Sequence, residues 1–101
     1  MKEREGEYII TFVFNYGFAA EGIDKVKAYI EDVLKKYRGS VLKIYILGER
    51  KFAYPIKHQQ TGYYVFAQCK IPRPQIRFFR KDMELSENIV LRFLILRKEY
   101  A

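Results

Sequence analysis

Cysteine and histidine are nearly missing from this chain, each present once, as Cys69 and His58. A single cysteine cannot close an internal disulfide, and one cysteine with one histidine cannot assemble a Cys/His zinc site. No staple or metal holds the fold, and a reducing compartment fits such a composition. No apolar run approaches the roughly 20 residues needed to cross a bilayer. The opening Met-Lys-Glu-Arg-Glu-Gly lacks the apolar centre of a signal peptide, so the chain reads as soluble, mature and off the membrane. Glycine clusters that cradle phosphate are also missing, since Asn15-Tyr16-Gly17-Phe18 carries neither a Walker loop nor a dinucleotide fingerprint. What remains is 101 residues, 50% hydrophobic and 17% aromatic. A chain of that size buries roughly two-thirds of the surface its unfolded form exposes, enough for one core. Residues 1–101 are expected to form one domain.

Catalytic chemistry finds no footing in these residues. A nucleophile needs a positioned base, and His58 lies in a polar stretch predicted to be exposed. Asp24, Glu31 and Asp32 are dispersed among the lysines of a predicted helix, where i, i+4 ion pairing accounts for them. The expectation is a protein that is not an enzyme and carries no cofactor. Cys69, between Gln68 and Lys70 in a predicted strand, reads as a small packing residue.

Charge is unevenly placed. Residues 1–49 carry eight basic and eight acidic side chains, while Arg50 to Lys98 carries eleven basic and three acidic, and Glu99 brings the total to +7. A polyanionic partner for the second half follows from that imbalance.

Periodicity orders the elements. Glu7 to Phe14 alternates as a strand; Ile23, Val26, Ile30, Val33, Leu34 and Tyr37 recur at three and four as one amphipathic helix closing near Gly39. Ser40 to Leu47 reads as a strand continuing past Gly48 to Pro55. Lys57 to Gly62 reads as a longer basic hairpin loop, and Tyr63 to Ile71 as the third strand, ended by Pro72. Pro74 suits the first turn of a second helix bearing Ile76, Phe79 and Met83, and Ile89 to Leu96 makes the fourth strand. The order βαββαβ predicts an α+β fold with a four-stranded antiparallel sheet and both helices on one face. Helices cover one side only, yet strand one is apolar on both, with Ile10, Phe12 and Phe14 opposite Ile9 and Val13. The open face is therefore expected to meet a partner.

Arg50, Lys51, Lys57, Arg92, Arg97 and Lys98 fall on or beside these strands, interleaved with Phe52, Tyr54, Tyr63, Tyr64 and Phe93. Cations meet phosphates and flat rings stack on unpaired bases, so the pattern favours RNA. Arg73, Arg77 and Lys81 form an i, i+4 row that reads as the solvated face of the second helix.

The stretch Gly48-Glu49-Arg50-Lys51-Phe52-Ala53-Tyr54-Pro55-Ile56 resembles the Gly-x-Arg-x-Leu-Ala-Tyr-Pro-Ile signature of the bacterial-type small-subunit ribosomal protein six family, with Gly62-Tyr63-Tyr64 following. Tyr8-Ile9-Ile10 and Leu91 to Arg97 are similar to that family's first and closing strands, so the likeness spans nearly the whole chain. It implies a ferredoxin-like fold and a structural role: binding the central domain of small-subunit rRNA together with small ribosomal protein eighteen, with no obligate homo-oligomer. Carried over by position, Arg50, Lys51, Phe52, Tyr54, Pro55, Ile56 and Tyr63 would face the partner protein, and Lys57, Arg92, Arg97 and Lys98 the RNA. Phe52 stands where the family usually has Leu. One residue too many near Asn88-Ile89-Val90 predicts a bulge, which leaves the direction of Arg92 open. The implied location is the ribosome, in a bacterial cytoplasm or in an organelle, plastid or mitochondrion, the latter suited by heavy use of Lys, Ile, Tyr and Phe.

The same element order admits a stand-alone RNA-recognition module. Such a module wants two aromatics one residue apart on the open face of strand three, where Tyr63 followed by Val65 would supply half a platform. A small enzyme of this fold is the third reading, weakened by the lack of any catalytic constellation.

Overall fold

The computed structural model describes residues 5–98, a single four-stranded sheet in the order β2-β3-β1-β4 with every neighbouring pair antiparallel. Its elements are β1 (Glu5–Asn15), a short helix α1 (Tyr16–Ala19), α2 (Ile23–Lys36), β2 (Ser40–Ile56), β3 (Gln59–Pro72), a 3-10 turn (Arg73–Gln75), α3 (Ile76–Leu85) and β4 (Val90–Arg97). The architecture is the ferredoxin-like α+β fold expected from the pattern. The helix α1 has no counterpart in the periodicity; Asn15 starts it by accepting a hydrogen bond from the Gly17 N–H at 2.8 Å.

One parity of each strand builds the core. Ile10, Phe12 and Phe14 of β1 and Val65, Ala67, Cys69 and Ile71 of β3 are sealed beneath Val26, Ile30 and Leu34 of α2 and Phe79 and Met83 of α3. The Phe12 and Phe14 rings stack at 5.3 Å, and Tyr29 meets Phe14 edge-on at 5.7 Å. The helices are tied at their outer ends by Asp82, which accepts hydrogen bonds from the Tyr37 hydroxyl and, at 2.9 Å, from Lys36 Nζ. The Tyr37 hydrogen bond, helped by the Lys36 charge, holds the Asp82 carboxyl below its ordinary range against the opposing effect of burial.

The helix α2 closes near Gly39, as its spacing predicts, and the turn that ends it is made by a residue other than glycine. Arg38 takes the left-handed conformation, with φ 61°, and the Gly39 N–H reaches back to the Leu34 carbonyl at 2.7 Å. Gly39 is needed because a Cβ there would stand 2.8 Å from the Lys70 backbone oxygen.

Two further differences concern the strands. The stretch Lys57 to Gly62 is not a long loop: Ile56 pairs with Gln59, and only Lys57 and His58 turn the chain, both at positive φ (48° and 67°) as a two-residue type I′ hairpin requires. The polar residues Gln59 to Gly62 are strand because they lie at the tip of a long hairpin where solvent is close. The other is at β4, where the predicted bulge is present. Val13 pairs with Arg92 and Phe14 with Val90, which leaves Leu91 as the extra residue.

Candidate functional site

Opposed residues in an antiparallel ladder share a face, so the register assigns each strand residue to a side. On the side away from the helices, Gly48, Tyr64, Val13 and Arg92 form one row across the sheet; Tyr45, Phe66, Thr11 and Leu94 form the next, and Lys43, Gln68, Ile9 and Leu96 the third. The middle of this face is exposed apolar surface, contributed by Ile9, Tyr45, Phe66, Leu94 and Leu96. The expectation of an apolar uncovered face therefore holds for the sheet itself. The pair imagined for an RNA-stacking platform does not lie there: Val65 is fully buried under the helices and Tyr63 packs against the same core, beside Phe14. The exposed parity of β3 carries Tyr64 and Phe66, two rings one residue apart. The apolar run Val65, Ala67, Cys69, Ile71 sets that phase and is the signal that finds them.

The signature segment leaves the ladder. Lys51 pairs with Thr61 and Ile56 with Gln59, so Phe52, Ala53, Tyr54 and Pro55 bulge out opposite Gln60 alone. Pro55 has no N–H to give, and β2 is an edge strand, where that loss is tolerated. The bulge sends its two rings apart. Phe52 folds back over the sheet, with its ring 6.3 Å from that of Tyr64, above a glycine that has no room for a side chain. A Cβ on Gly62 would lie 2.5 Å from Phe52 Cζ and 2.6 Å from Val13 Cγ1. This cover explains why Val13 is only 7% exposed although it faces away from the helices. Tyr54 points outward and is 80% exposed.

A groove of about 320 Å³ runs along this bulge, lined by Lys51, Phe52, Tyr54, Pro55, Ile56, Tyr64 and Arg92 among others. Arg50 is exposed beside it, its guanidinium donating to the Glu49 carbonyl at 2.9 Å. Tyr63 shares the helix side with Phe14 and stays out of this groove, whereas Lys51 and Ile56, whose partners Thr61 and Gln59 have the same parity as Tyr63, line it where the bulge leaves the ladder. Tyr64 stands in the corresponding place on the open side.

The predicted RNA-facing set divides in two. Lys57 and Arg92 line one groove near the hairpin, together with Glu84, Glu87 and Phe93, and Lys57 Nζ lies 3.8 Å from Glu87 Oε1. That exposed pair holds Lys57 only weakly. Arg97 and Lys98 lie at the other end of β4, about 16 Å further along at ~3.3 Å per residue. They line a separate cavity with Glu5, Glu7, Lys70 and Arg73. Parity separates them as well: Arg92 opposes Val13 on the open side, while Arg97 opposes Tyr8 on the helix side. Arg73 is not part of the helical row with Arg77 and Lys81, because Pro74 sits in a 3-10 turn and α3 begins only at Ile76.

Cys69 takes no part in either region. Burial, and secondarily the Glu7 charge, push its thiol up to about 12, so it stays protonated and packs as an apolar group.

Comparisons with known proteins agree with this geometry. The profile of the family described as "Ribosomal protein S6" matches residues 7–97. Small ribosomal subunit protein bS6 of Chlamydia trachomatis is 30% identical over 98 residues, covering 96% of this chain and 87% of that protein. The bS6 protein of the cyanobacterium Thermosynechococcus vestitus is 30% identical over 87 residues, covering 86% and 75%. Among solved structures, 30S ribosomal protein S6 from Thermotoga maritima is similar with a TM-score of 0.78 at 20% identity, covering 94% of this chain and 89% of that one. The structural likeness speaks for the fold.

Proposed function

The chain belongs to the ribosomal protein S6 family, a family of small ribosomal subunit proteins, and from that premise we propose that it binds the central domain of small-subunit rRNA together with small ribosomal protein eighteen. Its role in this reading is structural, with residues 1–101 acting as one domain, without catalysis, cofactor or obligate self-association. The ribosome it serves is that of a bacterium or of an organelle; the relatives named above are bacterial, and no helix among the described residues is long and apolar enough to cross a membrane.

The observation that carries the reading is the bulge of the signature segment. Residues Phe52 to Pro55 give up ladder hydrogen bonds and project Tyr54, an aromatic ring that the free protein leaves almost wholly in water. Such a ring, set beside Phe52, Pro55 and Ile56, is a suitable anchor for a protein pocket. Arg50, Lys51, Phe52, Pro55 and Ile56 surround it, and the partner protein is assigned to them. Tyr63, on the helix side, contributes by holding the strand rather than by contact. Lys57, Arg92, Arg97 and Lys98 are assigned to RNA phosphates, because cations release condensed counterions when they meet a polyanion.

Sedimentation of the native protein from a lysate on sucrose gradients, at moderate and at high salt, tests the proposal. Comigration with the small subunit at both salts is expected, and a protein left at the top of the gradient at moderate salt would overturn it. A stand-alone RNA module keeps one specific observation in its favour, the pair of half-buried Tyr64 and exposed Phe66 on the open face. Tight binding of short unstructured RNA by the isolated protein, abolished by Phe66→Ala, would promote that reading over the ribosomal one.

A further inference from the structure

We propose that the cavity between the start of β1, the end of β3 and the end of β4 is a second phosphate-binding site for the RNA backbone, with Lys70 and Arg73 as its unassigned ligands; this rests on the rRNA-binding reading above. The cavity has a volume of about 540 Å³ and is lined by Lys70, Arg73, Arg97 and Lys98 against Glu5 and Glu7. One of its two carboxylates is already engaged. Glu7 Oε1 accepts from Gln68 Nε2 at 2.8 Å and lies 3.4 Å from Lys98 Nζ. Among the described residues that line the cavity, Lys70, Arg73 and Arg97 then stand against Glu5, a surplus of positive charge collected in a concave place, where low-dielectric walls strengthen its field.

A second observation points to an acceptor. The Nε–H of Arg73 is buried and has no hydrogen-bond partner among the described residues. Leaving such a donor unmet is expensive in a folded protein, the more so on a charged group, and a turn of the guanidinium toward the cavity that Arg73 lines would let a phosphate oxygen supply the missing acceptor. Arginine suits that role through its planar fork of N–H groups, and Lys70 and Arg97 add charge from two strands. The chain direction brings them together: β3 ends at Pro72, the 3-10 turn swings Arg73 across the sheet end, and β4 finishes with Arg97 beside β1. Lying far from the hairpin groove of Lys57 and Arg92, this cavity would hold a different stretch of the same RNA, so that β4 is clamped at both ends.

The test is binding of the full chain, in the presence of small ribosomal protein eighteen, to a transcript of the rRNA central domain, measured across a series of salt concentrations. Lys70→Ala and Arg73→Ala are each expected to weaken binding several-fold and to reduce the slope of log affinity against log salt by about 0.7 to 0.9, as loss of one phosphate contact does. Arg73→Lys should keep the slope. If Lys57→Ala and Arg92→Ala weaken binding while Lys70→Ala and Arg73→Ala leave both affinity and slope unchanged, the second site is overturned and the function above stands. If none of the four variants matters, the RNA reading itself fails. Should Arg73→Ala not fold, the exposed Lys70→Gln decides alone, by the same two numbers.

Discussion

Along β3 the residues beneath the helices, Val65, Ala67, Cys69 and Ile71, are sealed from solvent, whereas their alternating neighbours Tyr64, Phe66, Gln68 and Lys70 all meet it to some degree. Both sets share one backbone and one ladder, so the difference is purely one of what lies above each face. Below the helices, side-chain volume governs residue identity: small Ala67 and Cys69 and large Phe12, Phe14 and Phe79 fill one closed cluster. No such constraint accounts for Tyr45, Phe66, Leu94 and Leu96 on the other side, and apolar surface without a packing reason calls for a partner.

The widest separation between the two sides should appear in stability. Phe12→Ala, in the core, is expected to cost about 3–5 kcal/mol in urea unfolding, and Phe66→Ala no more than about 1 kcal/mol for its cross-strand pair with Tyr45. Similar losses for both would mean that the open face is packed in the free protein. Gly62→Ala belongs to the boundary between the sides: its methyl must displace Phe52 and Val13, a strain of about 1–3 kcal/mol on the same assay, and Phe52 should lose its ring contact with Tyr64 in NMR spectra. Tyr54→Ala should leave stability within about 0.5 kcal/mol while weakening the complex with the partner protein by about 2 kcal/mol, measured by calorimetry. Arg97→Ala should do the reverse, sparing the protein complex and weakening RNA.

The smallest effect concerns the Asp82 link between the helices. Its folded pKa is lowered, first by the Tyr37 hydroxyl, so its stabilisation is present above the unfolded carboxylate value of about 3.9 and is lost as pH falls through the folded value. Asp82→Asn is therefore expected to cost less than about 1 kcal/mol at pH 7. The gap to the unsubstituted protein should close below about pH 4. A gap that persists in acid would assign the loss to packing rather than to charge.

The element order, the antiparallel sheet and the apolar open face could be read from alternation and helical spacing, because burial imposes period two on strands and 3.6 on helices. Other features could not. The hairpin turn at Lys57 and His58 lacks the glycine or asparagine that advertises a positive-φ pair, so a polar strand tip looked like a loop. The 3-10 start of α3 hid that Arg73 departs from the helical row. The side occupied by Tyr63 was open to the same alternation, through the apolar run Val65, Ala67, Cys69 and Ile71, but the signature resemblance, which names neighbours along the chain, carries no information on which neighbour faces which way. The residues of the candidate site were largely recognisable; their division between two ends and two faces required the register.

That dependence on phase gives the Leu91 bulge a particular weight. Upstream of it Val90 points under the helices; downstream Phe93 and Ile95 do so, an odd interval that an unbroken strand forbids. Leu91 thus works like a letter skipped in a text read two letters at a time: left out of the ladder, it lets the frames on either side of it agree. Deleting it would bring Val90, Arg92 and Phe93 into unbroken alternation opposite Phe14, Val13 and Phe12, with both apolar residues still in the core and only the kink and the leucine's own packing lost. Drawing Leu91 into the ladder would do the damage instead, since with Val90 kept in the core Arg92 would turn inward and the outer face of β4 would be exchanged for its inner one. The passage from Val90 to Arg92 should therefore bear the loss of Leu91 better than any change that forces this residue into the ladder.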